Sequence, residues 1–253
     1  PRGTRRFTTE HGIAGDDGIY HHSSLQSRVM AFVHRARFPR FDGVIAVAEA
    51  TKRAMIQKWH VTQPITVILN GVDLPEGVEP RDPSTVTGTR ILSLSRLAPE
   101  KRIDKLIEAF ALVKKERPEA TLTIAGEGPL RAELEHHSSR IGLADAVRFP
   151  GFMDPDEAMA DADVLVQLSI WENCSYTLLD AVARGLRVVA ADVGGNHEIV
   201  GRGGLLDQVD SLTVSRALLS AEDATLGAGR ILSRDEMCDR LASRYSGDGG
   251  DEC

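Results

Sequence analysis

Two carboxylates, Glu172 and Asp180, flank a polar loop and the start of a helix-prone segment. The loop follows an apolar run, Val164 to Leu168, which has the length and branching of a buried strand. A loop that leads into a helix presents free backbone N–H groups, and such groups attract anions. Asp180 has apolar neighbours on both sides, and a carboxylate in such surroundings needs a partner. The segment therefore predicts an anion-binding site with two acids beside it.

A second loop brings three cations, Arg96, Lys101 and Arg102, to the predicted carboxyl end of another strand. Cations at that position suit a diphosphate, and a solvated basic loop fits the same spacing equally well. As loop cations they are expected to be exposed and to contribute little to folding. The loop lacks the Gly-x-Gly-x-x-Gly turn of dinucleotide-binding corners.

Gly126 and Gly128 follow the next predicted strand. Glycine has no side chain, so the pair permits close approach of the backbone to a ligand or to another segment. In isolation a plain turn is the simpler interpretation.

Strands and helices alternate regularly from residue 89, which predicts a parallel sheet covered on both faces. Ligands of such sheets lie at the carboxyl ends of the strands. The candidate site should therefore be built from five loops: 96–102, 126–129, 150–153, 170–176 and 192–196.

The first 72 residues resemble the tail of another α/β unit, with predicted strands at 6–10, 42–47 and 65–69 and a helix at 50–59. Between the first two of these strands, apolar residues recur at helical spacing and predict an amphipathic helix. These are Leu25, Val29, Phe32, Val33 and Ala36. A stretch rich in Pro, Gly and acids, 76–88, reads as a linker, so we place a domain boundary near residue 73.

Composition excludes several classes of protein. With 42% hydrophobic and 26% charged residues the 253-residue chain is typical of a globular protein, and its net charge of −7 argues against a nucleic-acid binder. The three cysteines lack metal-ligand spacing, which predicts no metal site and favours a reducing, cytoplasmic compartment. Asp161 and Asp163 imitate an Asp-x-Asp metal signature, but they lie where a helix passes into a strand, and we interpret them as structural. Since the chain opens with Pro1, we expect it to begin within a longer protein.

Five segments together resemble a known family. ILNGVD, SLSRLAPEKRIDKLIEAF, TLTIAGEGP, VRFPGF and WENCSYTLLDAVARGLRVVAADVGGNHEIV are similar, in the same order, to the retaining family 4 glycosyltransferases. The resemblance covers roughly residues 5–245. It implies an α/β fold of the GT-B type, with one complete doubly wound parallel-sheet Rossmann-like domain and part of a second. The partial, acceptor-side domain would span 1–72, the donor-binding domain 73–231, and a helix crossing back to the first domain, with a flexible tail, 232–253.

The resemblance also implies roles for single residues. Arg96 and Lys101 would contact the diphosphate of the donor, Glu172 would lie near the hydroxyls of the sugar, and His11 would face the transferred sugar. Asp180 would hold the ribose, the backbone from Cys174 to Thr177 the distal phosphate, and Phe152 would mark the nucleobase. The candidate donor-binding set is Gly126, Gly128, Phe152, Asn173, Cys174, Ser175, Tyr176, Thr177 and Asp180.

Three features depart from the family pattern: Asp180 replaces a glutamate, Arg102 replaces a glycine, and the first domain lacks its opening strands. The expected function is transfer of a sugar, with retention of configuration, from a nucleotide-diphosphate-sugar donor and without a metal or other cofactor. The alternative is a non-catalytic fragment or pseudo-enzyme that binds sugar nucleotides. An epimerase of the same architecture is weaker, because it would need further carboxylates in the first domain.

The expected partners are a nucleotide-sugar donor and an unidentified saccharide, lipid-linked or small-molecule acceptor, with no nucleic acid. Arg28, Arg35 and Arg37 lie on one predicted helix, which is either a solvated basic face or a site of peripheral contact with the inner face of the membrane.

Overall fold

In the part of the chain that the structure describes, two parallel β-sheets, one of three strands and one of six, organise the fold. The computed structural model describes residues 4–13, 24–74, 76–77, 89–220 and 231–246, and from 24 to 27 it describes the backbone alone. Most of the predicted linker at 76–88 lies outside these residues.

The strands are β1 (Phe7–Glu10), β2 (Gly43–Ala46), β3 (Ile65–Val67), β4 (Arg90–Leu94), β5 (Thr121–Ala125), β6 (Val147–Gly151), β7 (Val164–Gln167), β8 (Arg187–Ala191) and β9 (Leu205–Leu206). The helices are α1 (Ser24–Arg37), α2 (Glu49–Trp59), α3 (Ile103–Glu116), α4 (Arg131–Arg140), α5 (Pro155–Ala160), α6 (Tyr176–Ala183), α7 (Asn196–Ile199), α8 (Ser211–Leu219) and α9 (Arg234–Ser246).

The larger sheet has the strand order β6-β5-β4-β7-β8-β9, and every neighbouring pair is parallel. Its interior strands β7 and β8 are buried along their whole length, as expected where helices cover both faces. One apolar cluster joins the sheet to α3, α4 and α8, and a second joins the opposite face to α5, α6 and α7. The predicted doubly wound parallel sheet is thus confirmed.

The smaller sheet has the order β1-β2-β3, also parallel. Its core cluster includes Val44, Ala46, Met55 and Trp59, so α2 packs against β2 and β3. The carboxyl end of β1 leads to His11, and that of β2 leads to the start of α2.

Helix α1 exists as predicted, but the orientation expected for its apolar residues is wrong. Val29, Phe32 and Val33 expose 53%, 71% and 49% of their surface. The inward position belongs instead to His34, whose ring stacks on Trp59 with centroids 3.7 Å apart. Arg37 also leaves the expected basic face, because its Nη2 donates to Glu10 Oε2 over 2.6 Å. Hydrophobic spacing therefore identified the helix but not the side that faces the core.

Helix α9 connects the region between the sheets to the first strand. Val72 N donates to Leu232 O over 3.0 Å just before α9 begins, and the Arg234 guanidinium lies 3.3 Å from the Asp73 carboxylate. At the other end of α9, the rings of Tyr245 and Phe7 are 4.8 Å apart. Helix α9 therefore contacts the turn at Asp73 near its first residue and β1 near its last.

Arg102 occupies a backbone conformation that favours glycine. It has φ 51° and ψ 40° at the junction between the 3₁₀ turn Pro99–Lys101 and α3. A side chain in the left-handed region carries a steric cost that glycine avoids. The departure from the family pattern noted at Arg102 is therefore a site of backbone strain.

We predict that Arg102→Gly stabilises the chain by about 0.5–1 kcal/mol, because relief of the left-handed strain exceeds the greater freedom of glycine in the unfolded chain. Urea unfolding measures the effect as a higher midpoint at an unchanged slope. Arg102→Ala removes the same side chain but keeps the strain, so it should give no gain. A gain of equal size in both variants would contradict the explanation.

Candidate functional site

The carboxyl ends of β4 and β7, neighbouring strands of the larger sheet, bring the cationic loop to Glu172. Lys101 Nζ donates to Glu172 Oε1 over 2.6 Å. The Lys101 and Glu172 side chains expose only 21% and 17% of their surface. The ammonium has three donors, so it can bond to Glu172 and to a further anion at the same time. The expectation that Lys101 is a fully exposed loop cation is wrong.

Arg96 differs from Lys101 in its exposure. Its side chain is 67% exposed, and its Nη2 lies 2.5 Å from Glu100 Oε1. Ile170 N donates to Glu100 O over 2.9 Å, so Glu100 links the cationic loop to the end of β7. Arg96 is thus held beside the loop that carries Glu172.

Gly126 and Gly128 allow two loops to pack together. A Cβ atom on Gly126, whose φ is +139°, would lie 1.9 Å from Ser95 O, and one on Gly128 would lie 2.3 Å from Leu97 O. Leu97 N donates to Glu127 O over 2.8 Å in the same contact. These glycines therefore let the loop after β5 pack directly against the cationic loop. Direct contact of the two glycines with a donor stays a prediction.

The start of α6 adjoins Glu172. Ser175 is its N-cap, with Oγ accepting from Leu178 N over 3.3 Å and from Gln167 Nε2 over 2.9 Å. Tyr176 and Thr177 form the first turn, and Tyr176 is 51% exposed. The anion-attracting end of this helix is therefore rigidly set and accessible from solvent.

Cys174 lies in the same loop but is not suited to nucleophilic chemistry. Burial raises the pKa of its thiol to about 11, so the thiol stays protonated at neutral pH, and the thiolate is the reactive form. Its carbonyl oxygen accepts from Asn70 Nδ2 over 3.4 Å. The residue contributes backbone geometry to the site.

Asp180 is half-buried on α6, and Arg184 Nη1 donates to its Oδ1 over 3.2 Å. Burial raises the pKa of the Asp180 carboxyl, and the Arg184 charge offsets only part of that effect. Asp180 also lines a cleft of about 310 Å³ together with Tyr176, Arg234 and the turn at Gly71–Asp73. The partner that its surroundings required is therefore Arg184, and one side of the carboxylate still faces a cleft.

The remaining predicted residues lie on both sides of the junction between the sheets. Asn173 Oδ1 accepts from Thr51 Oγ1 over 3.1 Å and from Ile13 N over 3.4 Å. His11 is exposed, two residues before Ile13. Phe152 is 82% exposed after β6. The loop carrying Glu172 is thus bonded to the segment carrying His11.

Sequence reasoning missed three residues that build this region: Thr51, Arg184 and Glu198. Both carboxylate oxygens of Glu198 accept backbone N–H groups at the start of α2, within the smaller-sheet part of the chain. Arg184 is 6% exposed, and its guanidinium contacts both Asp180 and Asp156. The spacing of four residues between Asp180 and Arg184 on a predicted helix was the available signal for Arg184. Glu198 had no local signal, because its partners lie about 150 positions away.

The Asp-x-Asp pair is structural, as expected. Asp163 is buried and accepts from Thr89 N, Arg90 N and the Arg90 guanidinium, while Asp161 ends α5.

Among the residues that the structure describes, no group of three or more His, Cys, Asp or Glu side chains is placed to hold a metal ion. Within the same residues, every helix is too short or too polar to cross a membrane.

Two parallel α/β sheets, with a cation–carboxylate pair and a helix N-terminus at the strand ends, define the class of GT-B glycosyltransferase folds. The chain belongs to the family described as glycosyl transferases group 1, whose profile matches residues 81–243. The profile of glycosyltransferase family 4 matches residues 1–76.

Solved structures agree with the fold. Anabaena HepE, crystallised with UDP and glucose, superposes with a TM-score of 0.77 at 25% identity, covering 95% of this chain and 71% of that chain. A pneumococcal O-GlcNAc transferase, GtfA, crystallised with UDP and GlcNAc, gives a TM-score of 0.71 at 18% identity over 95% of this chain and 52% of that one.

Curated relatives are longer than this chain. An exopolysaccharide phosphotransferase of Streptomyces coelicolor is 33% identical over 75% of the chain and 21% of its own length. The GtfA subunit of a UDP-N-acetylglucosamine–peptide N-acetylglucosaminyltransferase of Streptococcus gordonii is 31% identical over 72% and 37%. An alpha-monoglucosyldiacylglycerol synthase of Streptococcus pneumoniae is 29% identical over 66% and 40%. The chain thus spans less than half the length of these relatives.

We predict that Asp180→Asn leaves the melting temperature unchanged or raises it at neutral pH. Because burial raises the pKa of Asp180, its charged form is disfavoured in the folded state. The carboxyl therefore stabilises the fold only while protonated, and that contribution is lost as pH rises through the folded pKa. The difference between variant and wild type should shrink below the ordinary aspartate pKa of about 3.9.

Thermal unfolding followed from pH 3 to 8 measures this dependence. Asp156→Asn is the matched control, because Asp156 contacts the same Arg184 but its side chain is 54% exposed. This variant should give no such gain in stability. A marked loss of stability in Asp180→Asn at neutral pH would show that the ion pair with Arg184 outweighs the cost of burial.

Proposed function

We propose that this chain is the donor-binding part of a glycosyltransferase, and that it takes a sugar from a uridine-diphosphate sugar with retention of configuration and without a metal. The observation that carries the proposal is the largely buried contact between Lys101 and Glu172 beside the start of α6. Three kinds of group that recognise a sugar diphosphate, namely a cation, an acid and a helix N-terminus, meet there.

The proposed chemistry is electrostatic. Lys101, Arg96 and the first turn of α6 stabilise the negative charge that develops on the diphosphate as its bond to the sugar breaks. Glu172 accepts hydrogen bonds from the sugar hydroxyls and keeps Lys101 oriented. This proposal needs no covalent bond between the sugar and Cys174, whose thiol stays protonated at neutral pH.

The nucleoside is proposed to extend from the diphosphate towards Asp180 and Phe152. Asp180 faces a cleft, and its carboxylate can accept from both ribose hydroxyls. Phe152 offers an exposed aromatic ring at the end of β6. Support for uridine comes from HepE and GtfA, which were both crystallised with UDP.

The acceptor is proposed to approach from the smaller sheet, where His11 follows β1. Glu10, next to His11, is fixed by the bond from Arg37, and burial raises its pKa despite that cation. The segment that carries His11 is also bonded to Asn173 through Ile13. His11 is therefore proposed to face the transferred sugar from the side of the smaller sheet.

The helix α1 is proposed to meet the anionic inner face of a membrane, which would place the protein at the cytoplasmic surface. Phe32 and Val29 are exposed apolar side chains, and Arg28 and Arg35 are exposed on the same helix. Exposed apolar residues bordered by cations suit an interface of anionic lipids. The name of the pneumococcal relative, a glucosyldiacylglycerol synthase, describes a lipid product for that protein.

We predict that Lys101→Ala weakens UDP binding by about 1–3 kcal/mol, as expected for a lost bond to a charged group. The same variant should also lower stability, because Glu172 is left charged, largely buried and without this cation. Arg96→Ala should weaken UDP binding with little loss of stability, since Arg96 is 67% exposed. Calorimetric titration and thermal unfolding measure the two effects separately.

The matched control is Lys105→Ala, which removes a cation of α3 that pairs with Glu108 away from Glu172. Its UDP affinity should equal that of wild type. Equal UDP affinity in all three variants would contradict the proposal that the diphosphate binds at this loop.

We predict that the chain co-sediments with vesicles containing phosphatidylglycerol, and that Phe32→Ser and raised salt both reduce binding. Ile56→Ser is the control, because Ile56 is 46% exposed on α2 rather than on α1. Equal sedimentation with neutral and anionic vesicles would contradict the membrane proposal, and self-association lost in Phe32→Ser would assign this face to contact between two copies.

A further inference from the structure

The helix α2 has an N-terminus that its own sequence does not cap. Its N-cap residue is Ala48, which has no side-chain oxygen to accept the first N–H groups. Substituting a capping residue by Ala normally destabilises a helix. The structure supplies the cap from a distant part of the chain: Glu198 Oε2 accepts from Glu49 N over 2.8 Å, and Oε1 accepts from Ala50 N over 2.9 Å.

This contact joins the two sheets. Helix α2 packs on the smaller sheet, whereas Glu198 belongs to α7, which packs on the larger one. The Glu198 side chain is only 14% exposed, so its bonds to α2 are shielded from water. A carboxylate at a helix N-terminus is also favoured by the helix dipole.

The turn before Glu198 is built against the loop of Glu172. Gly195 N donates to Glu172 O over 3.1 Å. A Cβ atom on Gly194, whose φ is +54°, would lie 1.7 Å from the same oxygen, and one on Gly195 would lie 2.0 Å from Asn173 O. The position of Glu198 is therefore fixed relative to Glu172.

Ala48 completes the contact by being small. A Cβ atom on Gly195 would lie 3.0 Å from Ala48 Cβ, so the turn and the start of α2 are in close contact. Beside it, Asn173 accepts from Thr51 Oγ1 of α2. The Glu172 loop, the 194–198 turn and the start of α2 thus form one bonded corner, which we call the Glu198 corner.

We infer that Glu198 is a positioning residue that couples the smaller-sheet domain to the Glu172 loop, so that binding of an anion at that loop stabilises α2. It acts through Glu172 and α2, without touching substrate. The inference deepens the proposed function, because it assigns the link between the donor site and the acceptor-side domain.

Calorimetric unfolding without ligand tests the link itself. We expect the wild-type chain to unfold in one transition, and Glu198→Ala to separate an earlier transition of the smaller-sheet domain. Asp210→Ala is the matched control, because Asp210 also accepts two backbone N–H groups but caps α8 within its own domain. It should lower the single transition by about 2–4 °C, as expected for the loss of one helix cap in a chain of this size. A single, equally shifted transition in Glu198→Ala would overturn the inference.

Hydrogen exchange of the α2 amides with and without UDP tests whether the link reaches the donor site. UDP should slow exchange in wild type and in Asp210→Ala, and this response should be lost in Glu198→Ala. The double variant Glu198→Ala/Ala48→Ser returns a local cap to α2, so it should restore slow exchange without UDP but not the response to UDP. Full recovery of the response would reduce Glu198 to a simple helix cap and overturn the inference. If wild type fails to bind UDP, the proposed function fails, and the calorimetric comparison still decides the inference.

Discussion

The ion pair between Lys101 and Glu172 depends on one geometric constraint, the parallel pairing of β4 with β7. Parallel neighbours end at the same edge of a sheet, so two loops separated by about 70 residues converge there. The pairing brings a cation and an acid to 2.6 Å. Since both side chains are largely out of water, removal of either one would leave the other uncompensated and lower the stability of the fold. Much of the site can be understood as support for this contact.

That support comes from three directions. The loop after β5 holds the cationic loop through glycines that permit backbone contact. The start of α6 is set by Ser175 and Gln167. Helix α2, which packs on the smaller sheet, donates a hydrogen bond to Asn173 of the Glu172 loop. Beside that bond, the start of α2 donates to Glu198. A ligand that binds the ion pair therefore contacts a region where both sheets are already joined, as a transfer between a donor and an acceptor requires.

The sequence predicted most of the larger sheet because its signals are local. The predicted apolar run Val164 to Leu168 contains β7, since short runs of branched apolar residues suit a buried strand. Helix α8 and strand β9 were not predicted. Convergence of the five loops followed from topology, so Lys101 and Glu172 were both assigned to the candidate site, but the contact between them was not predicted.

What the sequence could not predict depends on partners far along the chain. The apolar residues of α1 indicated an amphipathic helix but not that His34, stacked on Trp59, would take the inward side. Glu198 appears locally as an ordinary surface acid, and only the tertiary structure shows that it caps α2. Likewise, nothing around Arg102 indicates its positive φ except the glycine of the family pattern.

The central claim is that a diphosphate binds where Lys101, Glu172 and the start of α6 meet. Titration calorimetry of the wild-type chain with uridine, UMP and UDP tests it most directly, because the three ligands differ only in their phosphates. The account predicts weak binding of uridine, a modest gain for UMP, and for UDP a further gain of at least about tenfold that shrinks as salt is raised. Equal affinities for UMP and UDP would contradict it.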